Sequence, residues 1–233
     1  MKAGMHILLI NPNTSQQTTA LMLRQARACL PPGVLLHGAT AERGAAMITD
    51  EVGLKIAEQE VLRLGLAFAR GDGSQAGRAI IVAAFGNPGL ELLRAALPLR
   101  IAAFGIGEAA MLQAARDEQG RPRRFGIATT TPGLEASIAA SVAVLGLTPW
   151  FSGTHIARGE PLALAADPAL QCERLGDAVA QCVRDGAQAV VIGGGPLSEA
   201  ALWLAPRFQV PVLSPVVAAV QAALAGLALA VTH

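Results

Sequence analysis

Short apolar runs, many of them β-branched, alternate along the whole chain with stretches whose apolar positions recur at helical spacing. In the first half the pattern predicts a strand at "HILLI", a helix from Ser15 to Cys29 and a strand near "VLLHGA". A helix from Asp50 to Phe68, a strand at "AIIVAAF", a short helix after Pro88 and a strand at "RIAAFGI" complete it. The second half opens with a helix around Glu108 to Arg116, then a strand "RFGIAT", a helix "PGLEASIAASVAVLG" and a strand near "TPWFSG". A helix over 168–185, a strand "AVVIGGG", a helix over 198–205, a strand "VPVLS" and a terminal helix from Val216 follow. Strands and helices in this alternation predict an α/β protein with mostly parallel sheets.

One half nearly repeats the other. "AIIVAAFGNPGLELLRAALPLRIAAFG" and "AVVIGGGPLSEAALWLAPRFQVPVLSP" share strand, turn, short helix, proline-containing loop and strand in the same order. Laid over each other from their first alanines, Ala84 falls opposite Gly194. A duplicated α/β unit brings two like strand ends to a shared cleft, where open parallel sheets bind ligands. Ala84 and Gly194 are therefore expected to face one pocket from opposite sides.

Composition narrows the function classes. A chain of 233 residues, 52% apolar, is long enough for one large or two small cores. Its net charge is +1, and its densest basic run is "RPRR" at 121–124, which leaves no footprint for nucleic acid. Val210 to Thr232 carries no charge, but Pro211, Ser214, Pro215, Gln221 and Gly226 interrupt it, so a core-packed helix is expected rather than a membrane span. The N-terminal apolar run is far shorter than a signal peptide requires, which predicts a cytoplasmic protein. Cys29, Cys172 and Cys182 are spaced neither for a metal clip nor for a redox pair. The apolar composition favours self-association into a homo-oligomer.

At "INPNTS" (10–15), "AAFGNPGL" (83–90), "GIGEAA" (105–110), "IATTTP" (127–132) and "VIGGGPL" (191–197), the sequence resembles the aspartate/glutamate/hydantoin racemase superfamily, nearest its hydantoin and allantoin racemase branch. The resemblance implies two pseudosymmetric, flavodoxin-like lobes with parallel sheets and a cleft between them. Residues 1–104 plus 211–233 would form the first lobe, and 105–210 the second. It also implies catalysis without cofactor or metal, by two cysteines that flank the substrate Cα and exchange protons on its two faces. Matched residue by residue, those cysteines fall on Ala84 and Gly194, and both are missing. A methyl group and a hydrogen cannot exchange protons, so two-thiol racemisation at these positions is excluded.

The parts that would hold a substrate remain. Asn11, Asn13, Thr14 and Ser15 stand at a predicted helix start, where free N–H groups favour a carboxylate or an imide oxygen, although such residues also serve as ordinary caps. Thr129 and Thr130 occupy the matched place in the second half, and threonines there bind the substrate carboxylate in the resembled family. Phe85, Gly86 and Asn87 on one turn, with Gly194 and Gly195 on the other, offer backbone that a ligand can approach closely. Asn87 stands where the family often has aspartate.

Replacements for the thiols are few. There is no tyrosine, and the lysines are Lys2 and Lys55, which disfavours Schiff-base chemistry. His6 lies in the first strand, His37 near a strand end and His233 at the terminus. His155, read as a loop residue reaching the cleft, and Glu108, at a helix start near it, are the remaining acid–base candidates. Two functions are consistent with these residues. One is a racemase-family protein that recognises a small amino-acid-derived carboxylate or cyclic ureide, with altered chemistry. The other is a non-catalytic binding or accessory protein on the same fold.

Overall fold

Two four-stranded parallel sheets carry the chain, and their strands follow the same order. The computed structural model describes residues 5–71 and 77–231, so Lys2 and His233 lie outside the described residues. In the first sheet the order is β2 (Val34–Thr40), β1 (Met5–Asn11), β3 (Arg78–Val82) and β4 (Ile101–Gly105). In the second it is β6 (Phe151–Ile156), β5 (Phe125–Thr129), β7 (Ala189–Ile192) and β8 (Val212–Leu213). Strand for strand, β3 and β7 hold the same place, so the repeat visible in the sequence is a repeat of topology.

Burial follows the residue types. β3 (RAIIV), β5 (FGIAT) and β7 (AVVI) are buried at every position, as central strands covered by helices on both faces must be. The edge strand β2 mixes half-buried and exposed residues with none fully buried, and β6 is half-buried throughout.

Helix limits follow local chemistry. α1 (Gln16–Ala28) is capped by Ser15, whose hydroxyl accepts the Thr18 N–H. α2 (Glu51–Arg70) is capped by Asp50, which accepts the Gly53 N–H. α3 (Leu90–Ala96), α4 (Ile106–Ala114) and α5 (Glu135–Val144) fall where periodicity places them. α6 (Pro161–Ala166) is additional to the expected elements, a short helix with proline in its first turn. It leads into α7 (Pro168–Arg184), which is followed after β7 by α8 (Ser198–Leu204).

The final helix, α9 (Pro215–Val231), places Val216, Ala219, Val220, Ala223 and Leu227 in one core with Ile7, Leu9, Ala79 and Ile81 of the first sheet. The terminal helix thus packs on the first sheet, while Val212 and Leu213 of β8 pair with β7 in the second. No described helix is long and apolar enough to cross a membrane.

Candidate active site

Ala84 stands two residues beyond the end of β3, and Gly194 two residues beyond the end of β7. Equivalent strands therefore present them at equivalent points. Both line one small cavity of about 50 Å³ at the carboxyl ends of the sheets. The two turns touch: a Cβ added to Gly195 would lie 3.0 Å from the Ala83 carbonyl oxygen and 2.6 Å from Met22 Sδ. Only glycine allows this approach. Gly194 is less constrained, since its φ is not positive and a Cβ there would meet the Leu197 side chain at 3.0 Å.

The turn after β1 is knotted by asparagines. The Asn11 Nδ2 group, wholly buried, faces the Asn13 Oδ1 at 2.8 Å, the Ser15 carbonyl at 3.0 Å and the Thr19 hydroxyl at 3.0 Å. Asn13 Oδ1 also accepts the Ser15 N–H, which leaves its Nδ2 as the group available to the cavity it lines. The Thr14 N–H donates to the Ala45 carbonyl, fastening the loop between β2 and α2 to this turn. Of these four residues, Asn13 reaches the cavity, Ser15 lines an adjoining groove, and Asn11 and Thr14 shape the turn.

The second lobe separates two neighbouring threonines. The Thr129 hydroxyl donates to the Gly193 carbonyl at 2.6 Å and lies 3.1 Å from that of Thr131. The Thr130 hydroxyl, fully buried, has no hydrogen-bond partner, and Thr130 lines the cavity. An unpaired buried hydroxyl costs about 1 to 3 kcal/mol, a cost that a ligand oxygen or N–H would relieve. Among the described residues, the N–H groups of Ala84, Phe85, Gly86 and Gly195, all cavity-lining residues, donate no hydrogen bond either.

The other expected residues sit elsewhere. Asn87 adopts a left-handed φ of 48° and turns its Oδ1 to the Gly107 and Glu108 N–H groups at 3.1 and 3.4 Å, capping α4. It does so because the residue before that helix, Gly105, has no side chain to cap with. Glu108 is not part of the cavity lining; Arg94 grips its two oxygens at 2.9 and 3.0 Å. Burial pulls the Arg94 pKa down, but its bonds to Glu108 and Glu91 outweigh this and leave it raised. His155 lies within β6, not in a loop, and binds Asp185 at 2.8 Å beside a surface groove with Arg158, Arg174 and Arg184. It lines neither the cavity nor the groove that adjoins it. Neither acid–base candidate faces Ala84 and Gly194.

Other lining residues come from segments that carry no expected role. Met47 and Ile48, in the loop joining β2 to α2, and Leu54 of α2 close the cavity on one side. Thr131, Leu134 and Pro196 complete the wall from the second lobe. The large apolar pair Met47-Ile48, in a loop otherwise made of small and polar residues, was the available signal. No ionisable side chain lines the cavity among the described residues. The thiols are outside it as well. Cys182 is buried in α7, where burial pushes its pKa up to about 12, and Cys172 lines the adjoining groove.

A family model described as Asp/Glu/Hydantoin racemase matches residues 7–223. The chain belongs to this family. It is 25% identical over 220 residues to a hydantoin racemase of Paenarthrobacter aurescens, covering 94% of this chain and 89% of that protein. Among solved structures it is similar to the allantoin racemase from Klebsiella pneumoniae, with 29% identity and a TM-score of 0.86 over 97% of this chain and 89% of that one. An allantoin racemase from Pseudomonas fluorescens is similar at 25% identity and a TM-score of 0.84, over 96% and 91% of the two chains. These racemase structures share the two-lobe arrangement described above.

Proposed function

We propose that the cleft recognises a small amino-acid-derived carboxylate or cyclic ureide, without cofactor, and that it does not exchange α-protons by the two-thiol route. The observation that carries this reading is the unpartnered Thr130 hydroxyl, buried in a cavity that both lobes line and that no ionisable side chain enters. The Asn13 amide and the unbonded N–H groups of Phe85, Gly86 and Gly195 would add donors for ligand oxygens. The relatives' names, hydantoin racemase and allantoin racemase, point to the cyclic ureide as the first ligand to try.

Within this reading the lining supports recognition without side-chain proton transfer, the role of a binding or accessory protein. Carbanion chemistry through Glu108 or His155 is the weaker form, since Glu108 is held by Arg94 and His155 by Asp185. We place the protein in the cytoplasm as a homo-oligomer, with lobes divided near residues 105 and 214.

The test is incubation with hydantoin, allantoin and amino acids in deuterium oxide, followed by NMR, beside thermal denaturation with the same compounds. Stabilisation without α-proton exchange is the expected result. Exchange would establish catalysis, and neither effect from any compound would overturn the ligand class.

A further inference from the structure

A second concave surface lies at the outer edge of the second lobe and shares no lining residue with the interlobe cavity or the groove that adjoins it. It is a groove of about 390 Å³ between β6 and α7, within the range of about 300 to 1,000 Å³ that small-molecule sites occupy. Along α7, Arg174, Asp177, Gln181 and Arg184 recur at helical spacing and so share one face. Since β6 and β7 both run parallel to β5, α7 runs back along them. His155 meets Asp185 at the end of α7, and Arg158, three residues on, therefore lies toward the start of that helix, where Arg174 stands.

The arginines of this groove are not neutralised as others are. Arg63, Arg94 and Arg121 each hold a carboxylate at 2.7 to 2.9 Å. Among the described residues, the guanidinium groups of Arg158 and the half-buried Arg174 make no hydrogen bond; the Glu173 and Asp177 carboxylates stand 3.8 Å from Arg174. Arg184 donates to the neutral Gln181 Oε1. Asp177 is the one acidic residue of the lining, against three arginines, and Asp185 lies outside it.

We propose that this groove is a second binding site, for a small hydroxylated molecule that carries one phosphate monoester. Such a group bears a charge of about −1.5 to −2 near neutral pH, which matches the excess of arginine over aspartate in the lining, and it accepts forked bonds from guanidinium groups. Arg158 and Arg174 hold the phosphate with donors that nothing else uses. The rest of the groove takes the body of the ligand, because Arg174 and Arg184 are about 15 Å of helix apart, far more than a phosphate fills. There Asp177 and Gln181 meet hydroxyl groups, over Ile156 and Ala178. The site is independent of what the interlobe cavity binds.

Calorimetry on the whole chain at low ionic strength tests this, with glucose 6-phosphate, inorganic phosphate and glucose as probes. Glucose 6-phosphate is expected to bind about threefold or more tightly than inorganic phosphate, the scale of one further hydrogen bond, and glucose is expected not to bind. Arg158→Gln and Arg174→Gln are each expected to weaken glucose 6-phosphate about tenfold or more, the scale of a lost charge-assisted bond. Arg100→Gln removes the same charge from the turn before β4 in the other lobe and is expected to change affinity less than about twofold. On the unaltered protein, glucose 6-phosphate is expected to slow phenylglyoxal modification of Arg158 and Arg174, read by mass spectrometry, while Arg100 reacts as before.

Equal affinity for glucose 6-phosphate and inorganic phosphate would overturn the ester. Losses of one size in all three variants would reduce the effect to net charge and overturn the site. Binding of neither phosphate, or modification of Arg158 and Arg174 at unchanged rates, would overturn the proposal outright.

Discussion

The Thr129 hydroxyl donates to the Gly193 carbonyl across 2.6 Å, tying the end of β5 to the turn that carries Gly194. The adjacent Thr130 hydroxyl is tied to nothing. Two threonines next to each other in the sequence thus separate into a structural one and one free for a ligand. Thr130→Val keeps the shape and removes only the unpaired hydroxyl. It is expected to leave the melting temperature unchanged or raised, and to weaken a ureide or carboxylate ligand by about 1 to 2 kcal/mol. Thr129→Val leaves the Gly193 carbonyl without this donor and is expected to cost about 1 to 3 kcal/mol of stability. Calorimetry and thermal melts on both variants check the pair; the opposite assignment would show Thr129 to be the ligand contact.

The Glu60 carboxylate is buried, accepting from Arg63 and, at 2.8 Å, from the Glu42 N–H at the start of the loop that carries Met47 and Ile48 to the cavity. The Arg63 bond chiefly, helped by backbone N–H groups and opposed by burial, lowers its pKa from 4.5 to about 2. A folded-state value below the unfolded one means stability that is fully present above about pH 4.5 and lost as the pH falls through about 2. Glu60→Gln is therefore expected to lower stability at neutral pH by about 1 to 2 kcal/mol and to flatten the decline between those limits. Melting curves across pH 2 to 7 test this, and superimposable curves for the two proteins would refute it.

The order of elements was legible because the local signals agreed. Ser15 and Asp50 cap the helices they were expected to open, and the β-branched runs of β3 and β7 became buried central strands. The matching of Ala84 with Gly194 was legible because the repeat of sequence pattern is also a repeat of strand order. What was not legible depends on distant partners. Asn87 and Glu108 lie close to the turns in sequence, yet one is taken by the start of α4 and the other by Arg94. His155 has the short polar surroundings of a loop, but pairing with β5 makes its segment a strand. Met47 and Ile48 reach the cavity from a loop that the Ala45 carbonyl fastens to the turn after β1 through the Thr14 N–H.

Glu108 illustrates how such a partner alters a chemical role. Its carboxylate is one-fifth exposed and bonded to Arg94 through both oxygens, so it is a brace between α3 and α4 rather than a free base. Glu108→Gln is expected to cost about 1 kcal/mol of stability, the scale of a partly screened ion pair, and to leave ligand affinity within about twofold. A loss of affinity larger than the loss of stability would return Glu108 to the site.

The last prediction concerns Ala84 and Gly194, which line one cavity from the turns after β3 and β7. If the cavity keeps the geometry of a racemase, Ala84→Cys combined with Gly194→Cys should create detectable racemisation of a hydantoin or an amino acid. Positioned proton donors and acceptors commonly contribute about 10² to 10⁴-fold each. The backbone permits both changes. Gly194 has no positive φ, and the one obstacle to its new Cβ is the Leu197 side chain at 3.0 Å, which can shift by a few tenths of an ångström. The neighbouring glycines would not serve: a Cβ on Gly195 meets the Ala83 carbonyl oxygen at 3.0 Å and Met22 Sδ at 2.6 Å, and one on Gly193 meets Ile127 Cγ2 at 2.9 Å. Each single variant should wash deuterium into one enantiomer without converting it, because one thiol reaches one face of the substrate only. A double variant that folds and binds hydantoin, yet shows neither exchange nor racemisation by NMR and chiral chromatography, would mean that the cavity no longer presents a substrate Cα between these two turns.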